Sequence, residues 1–247
     1  MSRQYRKPPL VEAVAEFHFS AVAGWSEEVV TSIQTDLAEQ FDHRSVVTAI
    51  EGRMVFGPEG ISQHASPVER VRLSGSGHPV IVQLGPNLLS VNHLAPYTHW
   101  DGFAPFIRAA YSAYISHAKP QGLNMVMLNY VNRIEVPPGP VRLEDYFGVY
   151  PQLAAPLPEG HGHFLLNVNL PFEDARDTLR LQFNTFGEPG GAATAFLLVL
   201  QYVPGASAIS MDDPFAVLEP AHQHIEDTFE GCMTDKTRSL FEEDSPC

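Results

Sequence analysis

Two long segments alternate apolar and polar residues at the period of an extended strand, and they constrain the fold more than any other feature of the chain. In "PPLVEAVAEFHFSA", Val11, Ala13, Ala15, Phe17 and Phe19 share one face, and Glu12, Val14, Glu16 and His18 the other. In "LNYVNRIEV", Leu128, Tyr130, Asn132 and Ile134 share one face, and Asn129, Val131, Arg133 and Glu135 the other. Each segment leads into a similar succession of elements. After the first comes a helix with Ser26 as its N-cap and Val29, Val30, Ile33, Leu37 and Phe41 at helical spacing. Strand-like pieces at 45–56, 68–74, 78–84 and 87–94 come next, then a helix over "HWDGFAPFIRAAYSAYISHAK" ended by Pro120 and Gly122. The second strand, 123–136, precedes a helical turn in "RLEDYF" and a loop rich in Pro and Ala at 150–160. Strands at 162–171, 178–186 and 194–203 come after it, then a helical region from "DDPFAVLEPAHQHIEDTF" to about Phe241.

Each half, 1–121 and 122–241, therefore reads as strand, helix, antiparallel meander, helix, with 242–247 as a frayed tail. No residue-level repeat accompanies this duplication of order. The pattern predicts an α+β protein, a curved antiparallel sheet with helices on one face, and a pseudo-twofold relation between the halves. The TATA-box-binding saddle and the helix-grip folds share this order, but fold does not transfer function. A length of 247 residues fits one large domain or two fused units of about 120.

The formal charge of −14 is unevenly placed. Residues 1–121 hold 9 basic and 11 acidic residues, and 122–247 hold 6 and 18. Such a surface repels a phosphate backbone, so nucleic acid is not expected as a ligand. Cys232 and Cys247 form neither a disulfide framework nor a metal set. "MSRQYRKPPLVEA" lacks the apolar run of a signal peptide, and no segment has the roughly 18 apolar residues that cross a bilayer. A cytoplasmic protein without a membrane partner is the expectation.

Four groups of segments resemble a family of uncharacterised, sporadically distributed prokaryotic proteins of about this length: "KPPLVEAVAEFHF", "VQLGPNLLSVN" with "PYTHWDGF", "NYVNRIEV" with "LEDYF", and "FEGCMTDKTRSLF". In that family an Arg or similar residue often stands where this chain has Asn129. The resemblance implies that residues 1–247 form a single unit, and it implies no activity.

Polar residues in the two long strands are the first candidate site. If the strands are neighbours, Arg133 can pair with Glu16 or Glu12 and fix their alignment. The same residues, with His18, Tyr130 and Asn132, can instead line a polar pocket for a small anionic or amide-bearing ligand. Glu12 and Glu16 lie about 13 Å apart along a strand, too far for a glycosidase pair; Glu16 and His18 are the better acid–base couple. The second candidate is the loop "PYTHWDGF", with Tyr97, His99, Trp100 and Asp101. Here Asp101 can cap the helix and Trp100 can cover its end.

Other motifs are incomplete. His161 and His163 in "HGHF" lack the carboxylate a cupin-like site needs nearby. Glu219, His222 and Glu226 share a helical face, but a di-iron site requires a second such motif; His222 is expected as a rim histidine on the buried stripe. Pro220 either opens that helix or kinks it. "GPNLLSVN" and "GSGHP" lack the form of phosphate loops, and no nucleophile elbow is present. With no catalytic, metal or cofactor set complete, the expected role is non-enzymatic: binding a protein partner, or a second copy through a sheet edge, in an accessory or defence-related setting. The alternative is a small-molecule enzyme or ligand-binding domain with its site between sheet and helices.

Overall fold

The computed structural model describes residues 3, 5–20, 22, 24–57, 60–154, 156–157, 162–186 and 194–242, without the side chains of 49–57 and 60–66. His161, most of the frayed tail and the turn at 187–193 therefore lie outside the described residues.

Nine strands form one antiparallel open sheet in the order β2-β3-β4-β5-β1-β6-β9-β8-β7. The two alternating segments, β1 (Leu10–Phe19) and β6 (Leu123–Val136), lie side by side at its centre. From β1 the chain crosses through helix α1 (Glu27–Asp36) to the far edge. It then returns through β2 (His43–Gly57), β3 (Gly60–Ser74), β4 (Val80–Gly85) and β5 (Leu88–Leu94) to lie against β1. From β6 it passes through the one-turn helix α3 (Leu143–Tyr146) to the opposite edge and returns through β7 (Leu165–Phe172), β8 (Asp177–Phe186) and β9 (Thr194–Val203). Each half thus places its first strand centrally and brings its meander home to it. The meanders differ by one strand.

Helix α2 (Trp100–Ala118) packs on β4 and β5, and α4 (Phe215–Cys232) on β6 and β9. The short α5 (Asp235–Arg238) docks on α3. Tyr111 and Tyr114 of α2 meet Phe17 and Phe19 of β1, with ring centroids 4.9 and 4.6 Å apart for the Phe17–Tyr111 and Phe19–Tyr114 pairs. A second aromatic group, Phe147, Phe183 and Phe196, fills the other half. Contacts of this kind remove large apolar areas from water in a geometry that favours tilted rings.

Four expectations about local structure change. A register shift between Leu10 and Glu12 inserts Val11 as an extra residue opposite β6, so Leu10 rather than Val11 joins the core. The pieces at 45–56 and 68–74 are parts of one long hairpin, paired from His43 with Ser74 to Gly57 with Gly60. Only Val71–Ser74 of it pairs with β4, so the hairpin runs well beyond the sheet's body. Helix α1 is capped by Ser26 as expected, but α2 is not capped by Asp101: His99 holds that position without a side-chain bond. Pro220 lies inside α4 rather than opening it. Among the described residues, no helix is long and apolar enough to cross a membrane.

Candidate functional site

A cleft of about 330 Å³ opens where the N-terminal segment, the loop before α2, β6 and α4 meet. The period of β6 builds its floor. Tyr130 and Asn132 fall on the helix-facing side, between the buried Leu128 and Ile134. The wall from α4 reflects helical spacing, which puts Ile225, Glu226 and Phe229 on one face, with His222 on the same face one turn earlier and outside the lining. The opposite wall is a strap, residues 5–9. Arg6 and Lys7 donate backbone N–H groups to Glu242 and Phe241, each at 3.0 Å, and the Tyr5 hydroxyl donates to Glu230 Oε1 at 2.7 Å. Glu230 also takes the Arg238 Nε–H at 2.9 Å.

A hydrogen-bonded chain runs inward from the cleft. Tyr97 Oη lies 3.2 Å from Tyr130 Oη, which lies 2.9 Å from His222 Nδ1; beyond it His222 Nε2 lies 3.4 Å from Glu226 Oε1, a charge contact without hydrogen-bond geometry. Burial holds the imidazole of His222 down at about 4, against a weak upward pull from Asp101, so the ring is neutral near pH 7. Its single proton belongs on Nε2, which faces the acceptor-only Glu226 carboxylate. Nδ1 then accepts from Tyr130, and the Tyr130 oxygen accepts from Tyr97. Burial raises both phenols, so both stay protonated. The Tyr97 oxygen, having donated inward, offers only acceptor capacity to the cleft.

The surroundings fix this chain. Trp100 stacks on His222, centroids 4.7 Å apart and planes 10° off parallel, and donates its indole N–H to Glu219 Oε2 at 2.7 Å. Tyr97 rests against His93, whose ring nitrogens reach the Leu94 carbonyl and the Thr98 hydroxyl. Asn132, 4% exposed, donates its side-chain N–H to the Leu198 carbonyl at 3.2 Å. No group of the described residues takes its Oδ1.

The structure joins parts of the two candidate sets and splits the first. Tyr97, His99, Tyr130 and Asn132 line one cleft. Trp100 backs it, and Asp101 stands exposed in the first turn of α2. Glu12, Glu16, His18 and Arg133 lie on the far side of the sheet. There Glu12 accepts the Asn92 side-chain N–H at 2.8 Å. His18 Nε2 sits 2.6 Å from Glu16 Oε1 without hydrogen-bond geometry.

The expected alignment pair does not form. Glu16 is opposite Met127, roughly 20 Å along β6 from Arg133, and Glu12 is opposite Val131. Arg133 instead pairs with Glu135 at 2.6 Å, both about half exposed. Exposed pairs contribute little, so Arg133→Met is expected to change folding stability by about 0.5 kcal/mol or less. Urea denaturation measures this; a loss of about 3–5 kcal/mol, as from breaking a buried pair, would contradict the placement.

Sequence reasoning missed the strap, Glu230 and the partner of His222, Tyr130. The one-face spacing of Glu219, His222 and Glu226 was visible, but Glu219 holds Trp100 and Arg108 rather than a metal. Among the described residues no group of three His, Cys, Asp or Glu is placed to hold a metal ion. His163 meets the Thr185 hydroxyl near the surface.

No protein-family model matches the chain, and no curated protein does. Among solved structures, the chain is similar to the crystal structure of DynU16, a protein in the dynemicin biosynthetic locus, at 15% identity over 90% of this chain and 98% of that one. The TM-score of 0.17 is too low for the likeness to bear on fold or function.

Proposed function

We propose that the protein binds a small molecule in the cleft between strap, β6 and α4, and does not transform it. Asn132 carries the reading. It is an amide among aliphatic neighbours on a core-facing strand, with its N–H occupied and its Oδ1 unclaimed by the described residues at the cleft wall. A ligand's donor that meets this oxygen at the cleft wall adds a hydrogen bond of about 1 kcal/mol. A cleft of this size, near the small end of ligand pockets, takes a small molecule rather than a protein segment. The proposal therefore departs from the protein partner expected from the sequence.

The buried groups behind the cleft do not form a proton relay. His222 is neutral, stacked behind Tyr130 and absent from the cleft lining. The phenols are raised away from neutral pH, and burial pushes the Cys232 thiol up to about 12. None of these groups exchanges a proton readily near pH 7.

The test is Asn132→Leu, which keeps volume and removes the acceptor. Fragments of about ten heavy atoms that bind the native chain by ligand-observed NMR should lose about tenfold or more in affinity, the equivalent of one hydrogen bond to a buried group. The thermal midpoint should move by no more than about 4 °C. Unchanged binding in the variant places the ligand elsewhere and rejects the reading.

A further inference from the structure

We infer that a second copy of this chain pairs with the free edge of β7, joining two sheets into one around a twofold axis.

β7 ends the sheet and has a neighbouring strand on one side only, β8. The direction of its backbone follows from the pair just before it. The Phe164 carbonyl accepts the Thr185 N–H of β8 at 3.3 Å. Backbone groups alternate in direction along a strand, so those of Leu166, Val168, Leu170 and Phe172 also face β8. Leu165, Asn167, Asn169 and Pro171 then turn theirs outward, and among the described residues nothing takes them. Pro171 agrees with this parity, because its missing N–H falls where no bond to β8 is lost.

Such edges are usually guarded by charge, bulges or a cover. The opposite edge, β2, carries His43, Arg44, Glu51 and Arg53 along its length. β7 reads Leu-Leu-Asn-Val-Asn-Leu-Pro-Phe, with no charged residue and no bulge, in a chain of net charge −14. Leu165 stands 62% exposed on it.

The strand is also complementary to its own reverse. A twofold axis at Val168 sets Asn167 against Asn169 of the second copy, where the two exchange backbone bonds. Leu165 then donates its N–H to the carbonyl of Pro171, so every outward N–H of both copies finds an acceptor. On the open face Leu165 lies beside Pro171, and amide beside amide. On the helix face the half-buried residues meet as Phe164 with Phe172, Leu166 with Leu170, and Val168 with itself. Beyond the strand, His163 falls opposite Glu173. An unrelated peptide would supply the backbone bonds without matching both faces. Because the pairing is isologous and uses each copy's one unguarded edge, it closes at two. An eight-residue edge is small against the roughly 800 Å² per partner of a stable complex, which sets the dissociation constant at about 10 μM.

Sedimentation velocity of the full chain from about 1 to 100 μM should show monomer giving way to dimer, half complete at about 10 μM. Asn167→Lys combined with Asn169→Lys sets like charges opposite each other at exposed positions. It should weaken association about a hundredfold or more and leave the thermal midpoint in place. If that variant folds poorly, cross-linking decides, in a chain that also carries Cys247→Ser. Val168 faces itself in a non-hydrogen-bonded pair, Cα atoms about 4.5 Å apart, so Val168→Cys should give a covalent dimer on mild oxidation. Leu166→Cys, displaced from its twin by about 13 Å along the strand, should not. A native chain that stays monomeric at 100 μM overturns the pairing. So does a dimer that persists in the double lysine variant, or cross-linking that does not distinguish the two cysteine positions.

Discussion

Acidification from pH 7 to pH 4 is expected to remove about 3 kcal/mol of folding stability through one side chain, His222. The imidazole is held at about 4 in the folded protein, mainly because burial penalises its charged form. In the unfolded chain it titrates near the ordinary histidine value of about 6.5. Because the folded value is the lower one, the unfolded state binds the proton first as pH falls. The contribution is whole above about 6.5 and drains away down to about 4. Asp101 opposes the shift weakly, and Glu226 faces Nε2. His222→Gln keeps an acceptor for Tyr130 and a donor for Glu226 but does not titrate. Its unfolding free energy, measured by urea at half-unit intervals, should therefore be flatter than the native chain's across this window by about 3 kcal/mol. Identical slopes would mean that His222 is solvated and the inward chain is not formed.

Asp177→Ala should cost about 3–5 kcal/mol, the largest loss expected from any single polar residue here. Its carboxylate is 2% exposed and takes four hydrogen bonds: Arg176 Nε and Nη2 at 2.7 and 2.6 Å, the Tyr202 hydroxyl at 2.9 Å, and the Gly205 N–H at 2.8 Å. Arg176 is partly exposed and can turn to water. The Tyr202 hydroxyl, on a residue 1% exposed, has no such route, and an orphaned buried donor carries its full desolvation cost. The same carboxylate ties down a turn in which Glu173, Asp174 and Ala175 all adopt positive φ, a conformation that side chains resist. Gly205 passes so close to Arg176 that an added Cβ would lie 2.5 Å from its carbonyl oxygen. The turn is thus held by contact as well as charge. Arg176 first, then the bonds from Gly205 and Tyr202, keep the Asp177 carboxyl at about 2, below the ordinary 3.8. This group's stabilisation is therefore present above about pH 4 and lost as pH falls toward 2. That window lies below the histidine's, so one pH series separates them.

The sheet's centre was legible because β1 and β6 each keep period two for most of their length, and a buried face imposes that pattern. Turn residues marked the meanders, and Ser26 marked the start of α1. Local pattern failed where strand register mattered. Nothing in the spacing of Arg133 indicates that β1 lies beside β6 with Glu16 opposite Met127, since an antiparallel offset depends on turns and packing far away in sequence. The bulge at Val11 shifted one face for the same reason: alternation alone cannot announce an extra residue. The cleft was half legible. Tyr97, His99, Tyr130 and Asn132 stood out as polar groups in apolar surroundings. Their meeting point depends on contacts such as Tyr5 with Glu230, 225 residues apart, which no local spacing encodes. His222 and Glu226 were seen on one helical face and His222 was read as a rim histidine on the buried stripe; its partner, the Tyr130 hydroxyl, lies 92 residues away and no local spacing names it.

Crystals of the full chain soaked with a mixture of small aromatic fragments give the most direct test of the central claim, that the working face of this sheet is the helix side at Asn132. Density is predicted between Pro9, Tyr97 and Glu226, with a donor atom within about 3.2 Å of Asn132 Oδ1. An empty cleft with fragments gathered instead on the opposite face, around Glu12, Glu16 and His18, would contradict it.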